Sequence, residues 1–97
     1  MKIFTKEDFI PEDKKNGFVK NSLGDKFWYK DGNLHREDGP AAVYSYGAEI
    51  WYKEGEIHRE DGPAIKWFNG RTQYRLNGKH YSYNEWFAIV NGLEKFI

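Results

Sequence analysis

The tetrapeptide His-Arg-Glu-Asp occurs twice in the chain, at residues 35–38 and at residues 58–61. A histidine beside a carboxylate can act as a general base that its acidic partner orients. Imidazole and carboxylate groups also ligate metal ions, and the arginine fork suits phosphate or carboxylate. Both copies therefore have to be weighed as catalytic, metal-binding or anion-binding sites.

A repeat surrounds both copies of the tetrapeptide. Residues 28–41 return at residues 51–64 with eleven identities in fourteen positions, at an offset of 23 residues. A catalytic site needs one asymmetric set of groups, whereas a repeated scaffold needs the same contacts in every unit. We therefore interpret each tetrapeptide first as a structural corner. In it Asp caps the turn before Gly-Pro, Arg pairs with acidic neighbours and His packs on an aromatic ring of the adjacent hairpin. The sequence predicts no catalytic residue.

The histidines do not have the spacing of a metal site. The third-unit position in phase with His35 and His58 is Tyr81, and His80 is one residue out of register. The sequence has no cysteine and no closely spaced histidine pair, which are the usual signs of tetrahedral zinc. We expect neither a metal nor a cofactor.

The offset divides most of the chain into three units, 16–38, 39–61 and 62–84, and the outer two are degenerate. Each unit has closely spaced turn glycines between short aromatic and β-branched runs, a pattern typical of an antiparallel β meander. Asn77-Gly78 is the clearest hairpin turn. The predicted strands are 18–20, 42–45, 49–53, 65–68 and 72–76.

A different pattern follows the last unit. Ser82 and Glu85 have the spacing of a capping box, and apolar residues then recur at close to the helical period. Gly92 can end such a helix in the left-handed conformation. The sequence predicts a helix near residues 83–91 that covers the last hairpin.

The length of 97 residues predicts one domain. We expect residues 1–15 to form an N-terminal cap segment in which residues 5–8 cap one helical turn before Pro11. Residues 16–84 are expected to hold the repeats, and residues 82–97 the helix and tail. The expected fold class is mainly β with one C-terminal helix, built as an antiparallel meander of 23-residue hairpin repeats.

The charge balance and the hydrophobic pattern argue against several classes of protein. The chain has 15 basic and 15 acidic residues, and this balance argues against a nucleic-acid binder that tracks phosphates. The sequence contains no apolar run of the roughly 20 residues that span a membrane. The lack of cysteine and of an apolar leader predicts a cytoplasmic protein.

Aromatic residues make up 19% of the chain, which is more than one small core and one helix are expected to bury. A surplus of exposed rings marks protein interfaces or contacts between copies of the chain. The candidate binding site combines such rings with planar guanidinium groups. Its residues are His35, Arg36, His58, Arg59, Trp28, Trp51, Trp67 and Tyr74.

The segment 51–64, continued by Ile65-Lys-Trp-Phe-Asn-Gly70, resembles a MORN repeat. Its His-Arg-Glu-Asp-Gly-Pro-Ala form is similar to repeats of bacteriophage and giant-virus proteins that end in a capped helix. The resemblance covers residues 24–87 and implies a curved β-hairpin ribbon used for binding and encoded by a virus. Arg36 and Arg59 stand where MORN repeats have glycine after the histidine, so lipid binding and junction scaffolding are not carried over.

We expect a non-enzymatic, phage-encoded protein that acts by protein–protein interaction in the host cytoplasm. The expected partner is a host protein, such as a defence factor that the protein inhibits. An alternative is an oligomeric sponge that sequesters a nucleotide signal between aromatic faces, with Arg36 and Arg59 on the phosphates. A hydrolase that uses His58 is a third option.

Overall fold

A computed structural model describes residues 16–93 of the chain. This part is mainly antiparallel β-sheet with one C-terminal helix, as the sequence predicts. The N-terminal turn predicted at 5–8 lies outside the described residues. The elements are β1 (Gly17–Lys20), β2 (Lys26–Lys30), β3 (Asn33–Leu34), β4 (Ala42–Val43), β5 (Glu49–Ile50), β6 (Tyr52–Lys53), β7 (Glu56–Ile57), β8 (Ile65–Lys66), β9 (Thr72–Leu76), β10 (Lys79–Tyr81) and α1 (Tyr83–Val90).

One sheet contains eight of these strands, in the spatial order β1-β2-β4-β5-β8-β9-β10, with β3 paired to β2. Strands β6 and β7 form a separate two-stranded ribbon. Backbone hydrogen bonds tie this ribbon to the preceding unit, because Arg36 N–H donates to the Tyr52 carbonyl and Gly55 N–H donates to the Leu34 carbonyl. The same two bonds recur 23 residues later in the chain, so consecutive units are joined in the same way.

The tight turns after β2, β6 and β9 share one geometry. Their first central residues, Asp31, Glu54 and Asn77, have φ of 51°, 53° and 50°, and a glycine with φ of 83–88° follows each. Two successive positive φ values define the turn whose twist matches a two-residue hairpin. Glycine costs little in this conformation, but Glu54 is an unusual occupant, and its neighbour in the adjacent unit holds it there, as described below.

One cluster of the buried core is a row of side chains on one face of the sheet. Ala42, Ile50 and Ile65 are at most 8% exposed and are register partners across β4, β5 and β8. We call this side the core face. Trp51 follows Ile50 along the chain and therefore points to the opposite side, which we call the helix face. Further rings and side chains pack around the row, namely Phe27, Tyr44, Tyr52, Ile57 and Trp67.

The helix α1 begins with the capping box that the sequence predicts. Glu85 N–H donates to Ser82 Oγ at 3.1 Å, and Ser82 N–H donates to Glu85 Oε1 at 3.0 Å. At the other end Gly92 has φ of +74° and its N–H donates to the Ile89 carbonyl. These bonds satisfy backbone groups that the helix itself leaves unpaired.

Trp86 anchors α1 to the helix face of the sheet. It is 6% exposed, and its ring centroid is 4.7 Å from that of Tyr74. Its indole N–H donates to the Arg59 carbonyl at 2.9 Å. The helix therefore closes the repeat at its C-terminal end. Within residues 16–93, no helix has the length and apolar character needed to cross a membrane.

The capping box gives a prediction about stability. Ser82→Ala removes the acceptor for Glu85 N–H and is expected to lower the free energy of unfolding by about 1 kcal/mol. Asn84→Ala is the control, because Asn84 is exposed on the same helix and its replacement should change stability by less than about 0.5 kcal/mol. Urea denaturation measures both, and equal effects of the two substitutions would contradict this account.

Candidate functional site

Each His-Arg-Glu-Asp run forms the corner that joins one hairpin to the next. The first corner, residues 35–41, lies between β3 and β4, and the second corner, residues 58–64, lies between β7 and β8. Both corners end in Gly-Pro-Ala, and the alanines are fully buried. The side chains make the same contacts in the two corners, so the two corners have the same structure.

The arginine of each corner packs on the tryptophan that lies on the helix face. Arg59 Cζ lies 3.9 Å from the centroid of the Trp51 ring. Its Nε donates to Asp61 Oδ1 at 2.8 Å, and its Nη1 donates to the Pro63 carbonyl at 3.0 Å. The first corner repeats this arrangement with a ring distance of 3.8 Å. Such a cation–π contact contributes about 0.5–2 kcal/mol, so the guanidinium groups support the fold.

The glycine of each corner makes room for the guanidinium. A Cβ built on Gly62 would lie 2.8 Å from Arg59 Cζ, and one built on Gly39 would lie 2.9 Å from Arg36 Cζ. Neither glycine has φ in the left-handed region. A side chain at either position would therefore displace the guanidinium, which lies between an indole ring and the backbone of the glycine.

The histidine of each corner links its unit to the next one. Asn77 N–H donates to His58 Nδ1 at 2.9 Å, and His58 Nε2 lies 2.7 Å from Glu60 Oε2. Because an accepting Nδ1 carries no proton, the ring proton of the neutral imidazole is on Nε2 and is donated to the glutamate. His35 makes the equivalent contacts with Glu54 N–H and its own glutamate. This differs from the expected packing on an aromatic ring, and it explains why Glu54 accepts a positive φ.

The same contacts bias the carboxylates towards the ionised state. The hydrogen bond from Arg59 lowers the pKa of Asp61. The hydrogen bond from His35 lowers the pKa of Glu37. Both carboxylates are exposed to solvent. The corner edge therefore presents negative charge at neutral pH, with its cations partly covered.

A groove of about 580 Å³ runs between the two corners, and this is where a phosphate site on Arg36 and Arg59 would lie. Lys53 adds a third cation to its walls. Four carboxylates line the same groove, so negative charges outnumber positive ones and the attraction for a phosphate is small. They belong to Glu37, Asp38, Glu60 and Asp61.

The remaining residues of the predicted site divide between the two faces. Trp28 and Trp51 lie under their arginines on the helix face, and Tyr74 lies under Trp86 in the third unit. Trp86 thus covers a ring in place of an arginine, a role that the sequence interpretation missed. The sequence could have indicated this role of Trp86, because Ser82 stands at the arginine position of the repeat register. Trp67 packs on the core face, so the structure does not bring it together with the corners.

The sequence interpretation also missed a row of apolar side chains. It lies on the turns at the ends of the strands opposite the two corners. Leu23, Tyr46 and Phe68 are 74%, 58% and 70% exposed, and the ring centroids of Tyr46 and Phe68 are 6.4 Å apart. They belong to the adjacent turns 21–25, 44–48 and 67–71. We call this row the apolar edge. The repeat offset between Leu23 and Tyr46 could have indicated it.

No known protein family, curated protein or solved structure matches this chain. Within the described residues, no group of three or more His, Cys, Asp or Glu side chains is placed to hold a metal ion.

The close approach in the corners predicts a coupled pair of substitutions. Gly62→Ala should displace the Arg59 guanidinium from Trp51 and cost about 1–2 kcal/mol of unfolding free energy. In an Arg59→Ala background the added methyl group has nothing to displace, so the same change should cost nothing or stabilise by about 0.5 kcal/mol. A double-mutant cycle by urea denaturation measures the coupling. An equal cost in both backgrounds would show that the guanidinium is not the obstacle.

The lowered pKa of Asp61 predicts part of the acid sensitivity. The folded pKa lies below the unfolded one, so the ionised carboxylate stabilises the fold above pH about 4. That stability disappears as the pH falls through the lowered folded pKa. Asp61→Asn should therefore reduce stability at neutral pH and flatten its decline in acid, by less than about 1 kcal/mol because the group is exposed. Thermal unfolding across pH, with Glu56→Gln as control, measures the difference. Identical acid profiles for wild type and Asp61→Asn would contradict it.

Proposed function

We propose that the protein is a non-enzymatic binding protein that contacts a partner protein through the apolar edge. The observation that carries the proposal is the exposure of Leu23, Tyr46 and Phe68 on three adjacent turns, with the rings of Tyr46 and Phe68 close together. Large apolar side chains grouped in water forgo the stabilisation of burial, and such patches are typical of interaction sites. Aromatic residues are also enriched at the centres of protein interfaces.

The charges beside the apolar edge indicate what the partner surface carries. The strand residues that flank the three turns form one cross-strand row with three lysines and a single glutamate. The members of the row are Lys20, Lys26, Val43, Glu49, Lys66 and Thr72. A complementary partner would offer an apolar centre with an acidic rim, because opposite potentials steer association and fix its orientation.

The corners support the non-enzymatic part of the proposal. Both ring nitrogens of His58 have partners within the fold, one a backbone N–H and the other Glu60. A general base needs a ring nitrogen that reaches substrate. The duplication of the whole arrangement in the first corner favours a shared scaffold role over a single catalytic centre.

The biological setting of the proposal rests on the sequence resemblance to phage and giant-virus repeats. On that basis the protein is virus-encoded, acts in the host cytoplasm and inhibits a host protein, with a defence factor as the target class. The charge pattern adds that the target has an acidic surface around an apolar patch.

The test compares capture of a host protein by matched variants. Wild-type protein should retain one stoichiometric partner from host lysate, and the purified pair should bind in a two-component assay. The double substitution Leu23→Ser and Tyr46→Ser should weaken that binding by about tenfold or more, since each removes a large exposed side chain from the interface.

Phe87→Ser is the matched control, because Phe87 is an exposed aromatic on α1, away from the apolar edge. It should bind as wild type does, and all variants should unfold at similar temperatures. Equal binding by the double variant would exclude the apolar edge as the contact surface. Loss of a homodimer in analytical ultracentrifugation, without a host partner, would instead identify the partner as a second copy of the chain.

A further inference from the structure

The third unit departs from the repeat at positions that are buried or half-buried in the second unit. The second unit has Ala48, Ile50 and Ile57 at these positions, and the third has Arg71, Gln73 and His80. Three apolar side chains are thus replaced by side chains that can donate hydrogen bonds. The register places the glutamine on the core face, next to the last residue of the buried row.

These three polar side chains line an open recess of about 530 Å³. Trp67 and Phe68 supply its aromatic wall, and Asn69 and Thr72 complete it. The volume falls within the range of about 300–1,000 Å³ that small-molecule sites occupy. The recess therefore has the size and the ring surface to hold a mononucleotide-sized ligand.

The free polar groups of this recess are mostly donors. Asn69 Oδ1 already accepts from Arg71 N–H at 3.1 Å. Gln73 Oε1 already accepts from Nε and Nη2 of Arg75, at 3.1 Å and 2.9 Å. Both amides therefore have their NH₂ groups left for a ligand. The guanidinium of Arg71 has no hydrogen bond or ion pair with another side chain of residues 16–93.

The charge of the recess differs from that of the groove between the corners. Among the residues that the structure describes, no carboxylate lines the recess, whereas four line the groove. A terminal unit exposes its face to water and needs polar side chains there, but water solvates carboxylates as well as it solvates donors. Exposure alone therefore explains why the side chains at these positions are polar. It does not explain why they are hydrogen-bond donors and a cation, with no carboxylate among them. An uncancelled cation beside several donors attracts an anion.

We propose that this recess binds a small anion joined to a planar ring, of the nucleoside monophosphate class. The ring lies against Trp67 and Phe68, and the phosphate accepts hydrogen bonds from Arg71 and the two amides. This places a nucleotide at the third unit, away from the arginines of the two corners. Phe68 belongs both to this recess and to the apolar edge. The two tests remain distinct, because Arg71 lines only the recess, whereas Leu23 and Tyr46 belong only to the apolar edge.

The experiment titrates nitrogen-15-labelled full-length protein with adenosine monophosphate, adenosine and inorganic phosphate in separate series. The indole N–H signal of Trp67 should shift more than those of Trp28 and Trp51. Adenosine monophosphate should bind about tenfold more tightly than either fragment, because only it uses both the ring wall and the donors. Arg71→Gln should weaken its binding by about tenfold or more.

Lys53→Gln is the control, since it removes a cation from the groove between the corners and should change the affinity by less than about twofold. Equal affinities for phosphate and adenosine monophosphate would overturn the proposal, as would unchanged binding by Arg71→Gln. A shift centred on Trp51 would also overturn it. Absence of saturable binding by adenosine monophosphate up to about 5 mM, a concentration that detects weak ligands, would overturn it as well.

Discussion

The contact on which this fold depends is a guanidinium packed between an indole ring and a glycine. In the part of the chain that the structure describes, the buried row Ala42, Ile50 and Ile65 lies on the core face, so the other face needs its own stabilisation. In each corner Arg59, or its equivalent, covers the tryptophan, binds the following carbonyl and fills the space that glycine leaves. One side chain thereby closes the helix face and fixes the path of the chain into the next unit. In the last unit Trp86 covers Tyr74 on the same face.

The histidines link neighbouring units, whereas the arginines make their contacts within one corner. His58 Nδ1 receives the N–H of Asn77, which is 19 residues away and lies in the left-handed turn of the next hairpin. The imidazole thus stabilises a backbone conformation that belongs to its neighbour. The histidine and the arginine are the residues of the tetrapeptide best suited to catalysis or anion binding. Both contribute to the scaffold instead. The exposed side chains from which we argue binding lie elsewhere, in the apolar edge and in the degenerate third unit.

Much of the fold follows from local patterns in the chain. The capping box at Ser82, the hairpin at Asn77-Gly78 and the strand 72–76 could all be predicted, because each depends on residues within a few positions of one another. The predicted strands 42–45 and 65–68 are shorter in the structure, which limits them to Ala42–Val43 and Ile65–Lys66. The bends begin at Tyr44 and Trp67, whose N–H groups bond across the turns to the carbonyls of Ala48 and Arg71.

The sequence by itself determined the repeat offset, the turn positions, the β class and the helix with its cap, because these depend on backbone preferences and short-range spacing. Only the tertiary structure decided what each polar side chain does. It decided that the Arg59 guanidinium fills the space beside Gly62, that His58 accepts a hydrogen bond from a neighbouring unit, and that carboxylates line the groove while free donors line the recess. These outcomes depend on which units meet and at what distance, and local sequence patterns carry little of that information.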